Sequence, residues 1–273
     1  MDQRERVVAM FDRVAETYDR VGVDQFQPIA ARLVAELEPQ AGERVVDMGC
    51  GRGAVLLPVA VAVGPTGHAT GLDLAPKMVA AAAEEAARAG LSVDVVVGDA
   101  QEPDLPEQSF DALASSLVLF FLPDPAAALR AWRELLVDGG RIAVSTFGSY
   151  SAAWGPVDAV FGPYLPPGMR DARTTGKEGP FASDAGVERL LSDAGFTDVR
   201  TVGGSVPVRF DDADHWHRWT MSTGQRSMWD LVPEGERAAV RDRGAAAAEA
   251  TRLHNADGRI GFDQHVRYTL GRR

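Results

Sequence analysis

Residues 44–54 read Arg44-Val45-Val46-Asp47-Met48-Gly49-Cys50-Gly51-Arg52-Gly53-Ala54. A short apolar run leads into an acid, then into glycines at three alternate positions, then into an apolar stretch of helical spacing. A run of this length suits a buried strand, and glycine opens backbone angles closed to other residues. The glycines also let a ligand lie against backbone amides at the positive end of the next helix. The stretch therefore predicts a strand–turn–helix unit that binds a polar, partly anionic molecule.

The chain then alternates strand and helix, the pattern of a parallel sheet covered on both faces. Strands are expected at 44–48, 68–73, 93–97, 110–115 and 141–147, with helices over 53–63, 75–89 and 125–137 between them. Asp47, Asp73 and Asp99 stand at or just beyond the ends of the first three strands. One such Asp commonly caps the next turn or helix. Three in succession point instead to one ligand at the carboxyl edge of a doubly wound sheet.

Two ligand classes fit the glycine loop. Gly49, Gly51 and Ala54 satisfy the dinucleotide fingerprint, with Asp73 at about the acid spacing it expects. S-adenosylmethionine (SAM) is favoured by Asp47, whose charge suits an ammonium and repels a pyrophosphate. Gly53 and the acid in Gly98-Asp99-Ala100, suited to an adenine amino group, point the same way.

With these motifs the chain resembles the class I SAM-dependent methyltransferases, in particular the quinone-biosynthesis C-methyltransferases and bacterial small-molecule methyltransferases of secondary metabolism. The resemblance rests on residues 45–54, Gly71-Leu72-Asp73-Leu74, Gly98-Asp99-Ala100 and Leu135-Leu136-Val137-Asp138-Gly139-Gly140. The N-terminal Phe11-Asp12-Arg13-Val14-Ala15-Glu16-Thr17-Tyr18-Asp19 matches as well. It covers residues 8–147 well and the remainder loosely. It implies a Rossmann-like, mostly parallel seven-stranded α/β sheet with an added helical cap, and SAM as cofactor. The binding residues it implies are Tyr18, Asp47, Gly49, Gly51, Asp73, Leu74, Met78, Asp99, Ala100 and Ser115, with no metal. Asp73 is expected to accept both ribose hydroxyls, and Leu74 and Met78 to flank the adenine.

The corresponding division of the chain is an N-terminal helical lid at 1–40 and a SAM-binding core at 41–148. An inserted cap segment at 149–182, core helix and strand at 183–204, a helical substrate cap at 205–261 and a last core strand at 262–273 follow. Four of the five tryptophans, Trp154, Trp216, Trp219 and Trp229, fall in the two extra segments. Packing accounts for most of such rings, yet their accumulation predicts a water-poor pocket for an apolar or aromatic substrate.

The strand-four end reads Ser115-Ser116-Leu117 rather than the Asn/Asp-Pro-Pro-Tyr of many DNA and protein N-methyltransferases, which counts against a base or amide as acceptor. The net charge of -11 disfavours a nucleic-acid partner. Cys50 is the sole cysteine, so no intrachain disulfide can form. No apolar run has spanning length and the N-terminus has no signal-peptide pattern, so a cytoplasmic enzyme without a membrane partner is expected. A homodimer is compatible with the sequence, which does not fix the oligomeric state.

The expected reaction moves a methyl group to a carbon or oxygen of a small apolar polyketide, quinone or terpenoid. The alternatives are a non-methylating reaction, such as a cyclisation, on the same scaffold, and a non-catalytic SAM-binding protein. A phenol near neutral pH needs a base, for which histidine is the usual choice. His217 and His254 are the catalytic candidates, with Asp158 and Glu178 as carboxylate alternatives.

Overall fold

The computed structural model describes residues 3–166 and 179–273. Helices α1 (Gln3–Val14) and α2 (Phe26–Leu37) precede strand β1 (Arg44–Met48). Helix α3 (Leu56–Val63), strand β2 (His68–Asp73), helix α4 (Pro76–Ala89), strand β3 (Asp94–Val97) and strand β4 (Phe110–Ser116) follow. The chain continues through helix α5 (Pro125–Leu135), strand β5 (Leu136–Tyr150), helix α6 (Gly155–Ala159), helix α7 (Asp184–Asp193) and strand β6 (Thr197–Phe210). Helices α8 (Ala213–Met221), α9 (Arg226–Leu231) and α10 (Arg237–Ala250) lead to the last strand, β7 (Ile260–Arg272).

The strands form one seven-stranded sheet in the order β3-β2-β1-β4-β5-β7-β6. Strands β1 to β5 pair in parallel, and β7 inserts antiparallel between β5 and β6. The order reverses between β1 and β4, which is where an open parallel sheet leaves a crevice beyond its strand ends.

Local sequence sets the element boundaries. Helix α4 begins with Pro76 and ends on Gly90 in the left-handed conformation, the asymmetry expected of helix ends. Asp124 caps α5 by accepting the Ala127 N–H at 2.9 Å, and Ser183 caps α7 by accepting the Gly186 N–H at 3.1 Å. The sheet buries apolar side chains on both faces. Ile29, Leu33, Val45 and Leu56 pack on one side, and Val46, Leu113, Trp132 and Leu191 on the other.

Several expectations shift. Strand β6 runs on to Phe210, so the residues after 205 begin as sheet and turn helical only at Ala213. Within β6, Gly203 and Gly204 pair with Arg267 and Val266 of β7. A side chain at Gly204 would meet the Tyr268 ring at 2.9 Å, so a small residue is needed there. Val7, Met10, Phe11, Val14 and Tyr18 stand at the spacing of one helix over 3–18, but α1 stops at Val14 and leaves Tyr18 beyond it. The extensions of β6 and β7 carry a third apolar core that includes Trp154, Phe161, Trp216, Trp219 and Trp229. Glu178 and the 167–178 part of the cap segment expected at 149–182 lie outside the described residues. Among the described residues no helix is long and apolar enough to cross a membrane.

Candidate active site

The carboxyl ends of β1, β2 and β4 open into a cavity of about 1140 Å³. This exceeds the roughly 300–1,000 Å³ of a single small-molecule pocket. One side is polar, made by the glycine loop with Asp47, Asp73 and Asp99. The other is aromatic, made by Phe147, Tyr150, Trp154, Trp219 and Phe262.

The glycine loop turns back on β2, with the Gly49 and Cys50 amides donating to the Leu72 carbonyl at 2.7 and 3.0 Å. Gly49 has φ +75, and a Cβ there would lie 2.3 Å from Val118 Cγ2. Only glycine fits so close an approach in that conformation. Asp73 Oδ2 accepts the Gly51 N–H at 2.8 Å and its Oδ1 accepts the Ala75 N–H at 2.9 Å. Asp73 thus fastens the loop to the start of α4, and each oxygen keeps a lone pair for a ligand.

Asp47 is 2% exposed, and neither of its carboxylate oxygens has a hydrogen-bond partner. Burial, then the nearby Asp73, pushes its pKa up to about 8, against a smaller opposing effect of the Leu56 amide. Burial also raises Asp73. A buried carboxylate without a donor is costly, and a cationic group would offset that cost. The chemistry of the site therefore fits a ligand with a positive charge beside β1.

A methyltransferase-domain family model matches residues 46–144. The nocamycin O-methyltransferase of Saccharothrix syringae is 38% identical over 278 residues, covering 96% of this chain and 97% of that protein. The aklanonic acid methyltransferase DauC of Streptomyces sp. (strain C5) is 44% identical over 144 residues, 52% of this chain and 66% of that protein. The chain belongs to the class I SAM-dependent methyltransferases. The crystal structure of YcgJ from Bacillus subtilis has a like fold, with a TM-score of 0.59 at 17% identity over 90% of this chain and 98% of that one. The methyl donor of this methyltransferase is SAM, and its acceptor is a small molecule.

The other expected binding residues lie around the same cavity of the methyltransferase, with one exception. Tyr18, Leu74, Met78 and Ala100 line it. Tyr18 stacks on Phe26 with ring centroids 4.8 Å apart, and burial, reinforced by Asp19 and Asp73, raises its phenol pKa. Asp99 lines it too, but its Oδ1 accepts the Gln101 N–H at 2.9 Å and its Oδ2 lies 3.4 Å from Arg4 Nε. Ser115 is the exception. Its hydroxyl donates to the Met48 carbonyl at 2.9 Å inside the sheet, and Ser116 takes the place at the cavity wall. Alternation along β4 puts neighbouring serines on opposite faces.

Of the histidines expected from sequence to act in catalysis, neither His217 nor His254 lines the cavity. His217 sits half-buried with its ring 4.9 Å from that of Trp229, and His254 is exposed at the end of the turn Thr251–His254. All five histidines of the chain lie outside the lining. Asp158 does line it. Burial, then Asp47 and Asp73, pushes the Cys50 thiol well up, which disfavours a reactive thiolate.

Two parts of this site, the bonds made by Arg52 and the placement of Gln25, have no motif to mark them. Helix α1 crosses the cavity mouth with Arg4, Val7, Met10 and Phe11. Arg52 of the glycine loop donates to the Ala15 carbonyl and, at 2.8 Å, to Glu85, which Arg20 also contacts.

Proposed function

We propose that this methyltransferase transfers the methyl group of SAM to an acidic oxygen of a small aromatic metabolite of the polyketide or quinone type. When bound, SAM supplies an electrophilic methyl on a sulfonium. In this reading Asp47 holds its ammonium and Asp73 its ribose hydroxyls, while Leu74, Met78, Asp99 and Ala100 surround the adenine. Tyr18 and α1 close over it as a lid. Residues from 149–166 and 205–264 form the chamber for the acceptor.

The observation that carries the reading is the unpartnered Asp47 carboxylate, buried in a cavity that continues into an aromatic chamber. Such a chamber excludes water and holds a flat acceptor in line with the methyl, where proximity supplies much of the acceleration. With no imidazole in the lining, an acceptor that ionises by itself is favoured. Carboxylic acids and the enols of acidic 1,3-dicarbonyls do so near neutral pH, whereas a phenol of pKa about 10 does not. The two relatives, an O-methyltransferase and an aklanonic acid methyltransferase, support a reading with an acidic oxygen as acceptor.

The test is incubation with methyl-labelled SAM and a panel of aromatic polyketide acids, hydroxyquinones and simple phenols. Label is expected in esters or enol ethers. Label found only on carbon, or only on unactivated phenols, overturns the assignment.

A further inference from the structure

Among the described residues, buried side-chain atoms without a hydrogen-bond partner fall on Gln25, Asp47, Thr146, Trp219 and Arg226. Gln25, Asp47 and Trp219 line the cavity. Asp47 is accounted for above; the other two are not. Trp219 is 3% exposed and Gln25 is 4% exposed. The orphaned atoms are the indole N–H of Trp219, a donor, and the amide oxygen of Gln25, an acceptor.

Buried indole N–H groups are ordinarily paired. Trp132 donates to the Ala100 carbonyl at 2.7 Å, and Trp229 donates to the Thr220 hydroxyl at 2.8 Å. Trp219 differs in facing the aromatic chamber, among Phe210 at 5.2 Å and Phe262 at 6.2 Å between ring centroids. Gln25 stands at the N-cap position of α2, yet its side chain makes no capping bond. The loop before it is fastened to α8, because His215 holds the Val21 carbonyl at 2.7 Å. The segments that carry the orphaned donor and acceptor are therefore tied together beside the chamber.

The geometry points to an acceptor molecule that presents a carbonyl-type oxygen to the Trp219 N–H and a hydroxyl to the Gln25 amide oxygen. This rests on the methyl-transfer reading and narrows its substrate class to oxygenated aromatics bearing both groups. A hydrocarbon-like ring would leave both protein atoms unpaired in a water-poor wall. A site built to hydrogen-bond a group rejects the analogue that lacks it.

The test uses the full chain saturated with S-adenosylhomocysteine and two probes, 9,10-anthraquinone and 2-hydroxyanthraquinone. The hydroxyl of the second is too far from its carbonyls to bond internally. The wild-type protein is expected to prefer the hydroxyquinone. Trp219→Phe is expected to weaken both probes about tenfold, and Gln25→Met only the hydroxyquinone, by a similar factor. Replacing Trp219 by 3-benzothienylalanine, which keeps the ring shape without the N–H, should reproduce the Trp219→Phe result if that variant folds poorly.

Equal affinity of all variants for both probes, or no wild-type binding of either, overturns the inference. S-adenosylhomocysteine affinity is measured in the same proteins. If it stays at the wild-type value while the probes fail, only this inference falls. If the wild-type protein itself lacks it, the methyl-transfer reading falls.

Discussion

Asp73 Oδ2 accepts the Gly51 N–H at 2.8 Å across the gap between the ends of β1 and β2. The acid proposed for the ribose therefore also sets the shape of the loop that faces the rest of the ligand. One side chain couples loop geometry to cofactor recognition, because its two oxygens each hold a backbone donor and retain capacity for another.

Replacing Asp73 should thus cost both stability and affinity. In Asp73→Asn one oxygen becomes an NH₂ facing a backbone N–H, and a buried donor is left unpaired. A loss of about 1–3 kcal/mol in unfolding free energy is expected. SAM affinity should fall at least tenfold, read by denaturant melts and calorimetry. Unchanged SAM affinity would contradict the ribose assignment.

Asp47 predicts a pH dependence of definite sign. Its pKa rises to about 8 in the ligand-free protein, against about 3.9 in an unfolded chain. A raised carboxyl favours the folded state fully below the unfolded pKa, and that contribution is lost as pH rises towards 8. A cation bound at Asp47 requires the ionised form. SAM binding near pH 7 should therefore release about one proton, and affinity should climb by up to about tenfold per pH unit below 8. Calorimetry in two buffers of different ionisation enthalpy measures the release. Asp47→Asn should bind SAM weakly and release none; an unaltered slope in that variant would place the titrating group elsewhere.

Much of this site was legible because it is local. The acids follow strands whose apolar runs and glycine punctuation mark their ends within a residue or two. What was not legible depends on tertiary placement. Whether Ser115 or Ser116 faced the ligand depended on which face of β4 the cavity took. The extension of β6 through Gly203 and Gly204 comes from pairing with β7, with the Tyr268 ring lying against Gly204. Gln25 carries no motif at all, and Trp219 is marked in the sequence only as one of four clustered tryptophans; that each has an atom without a partner shows only in the folded chain.

Arg52 links the glycine loop to the N-terminal segment, through the Ala15 carbonyl, and to Glu85 on α4. Its side chain is 13% exposed, so these bonds are shielded more than a surface pair. Arg52→Ala should loosen the segment over the cavity. Faster amide exchange across residues 3–20 and roughly three- to thirtyfold weaker SAM binding are expected, with two charged hydrogen bonds lost, each worth about 1.5–3 kcal/mol at most. Exchange that remains as slow as in the wild-type protein would show that α1 is held by its other contacts alone.

The histidines separate structure from chemistry. His215 is 4% exposed, and both ring nitrogens are used. Its Nδ1 accepts the Asp211 N–H at 3.2 Å, so Nε2 carries the proton given to the Val21 carbonyl at 2.7 Å. His215→Ala removes both bonds and opens space beside Gly22, and should destabilise the protein by roughly 2–4 kcal/mol. His217→Ala and His254→Ala remove rings that lie outside the cavity, and each should leave kcat for methyl transfer within about twofold, since a general base contributes 10²–10⁴-fold where one acts. A hundredfold fall in kcat for His217→Ala at unchanged Tm would mean that the acceptor reaches beyond the chamber, to the far side of Trp229.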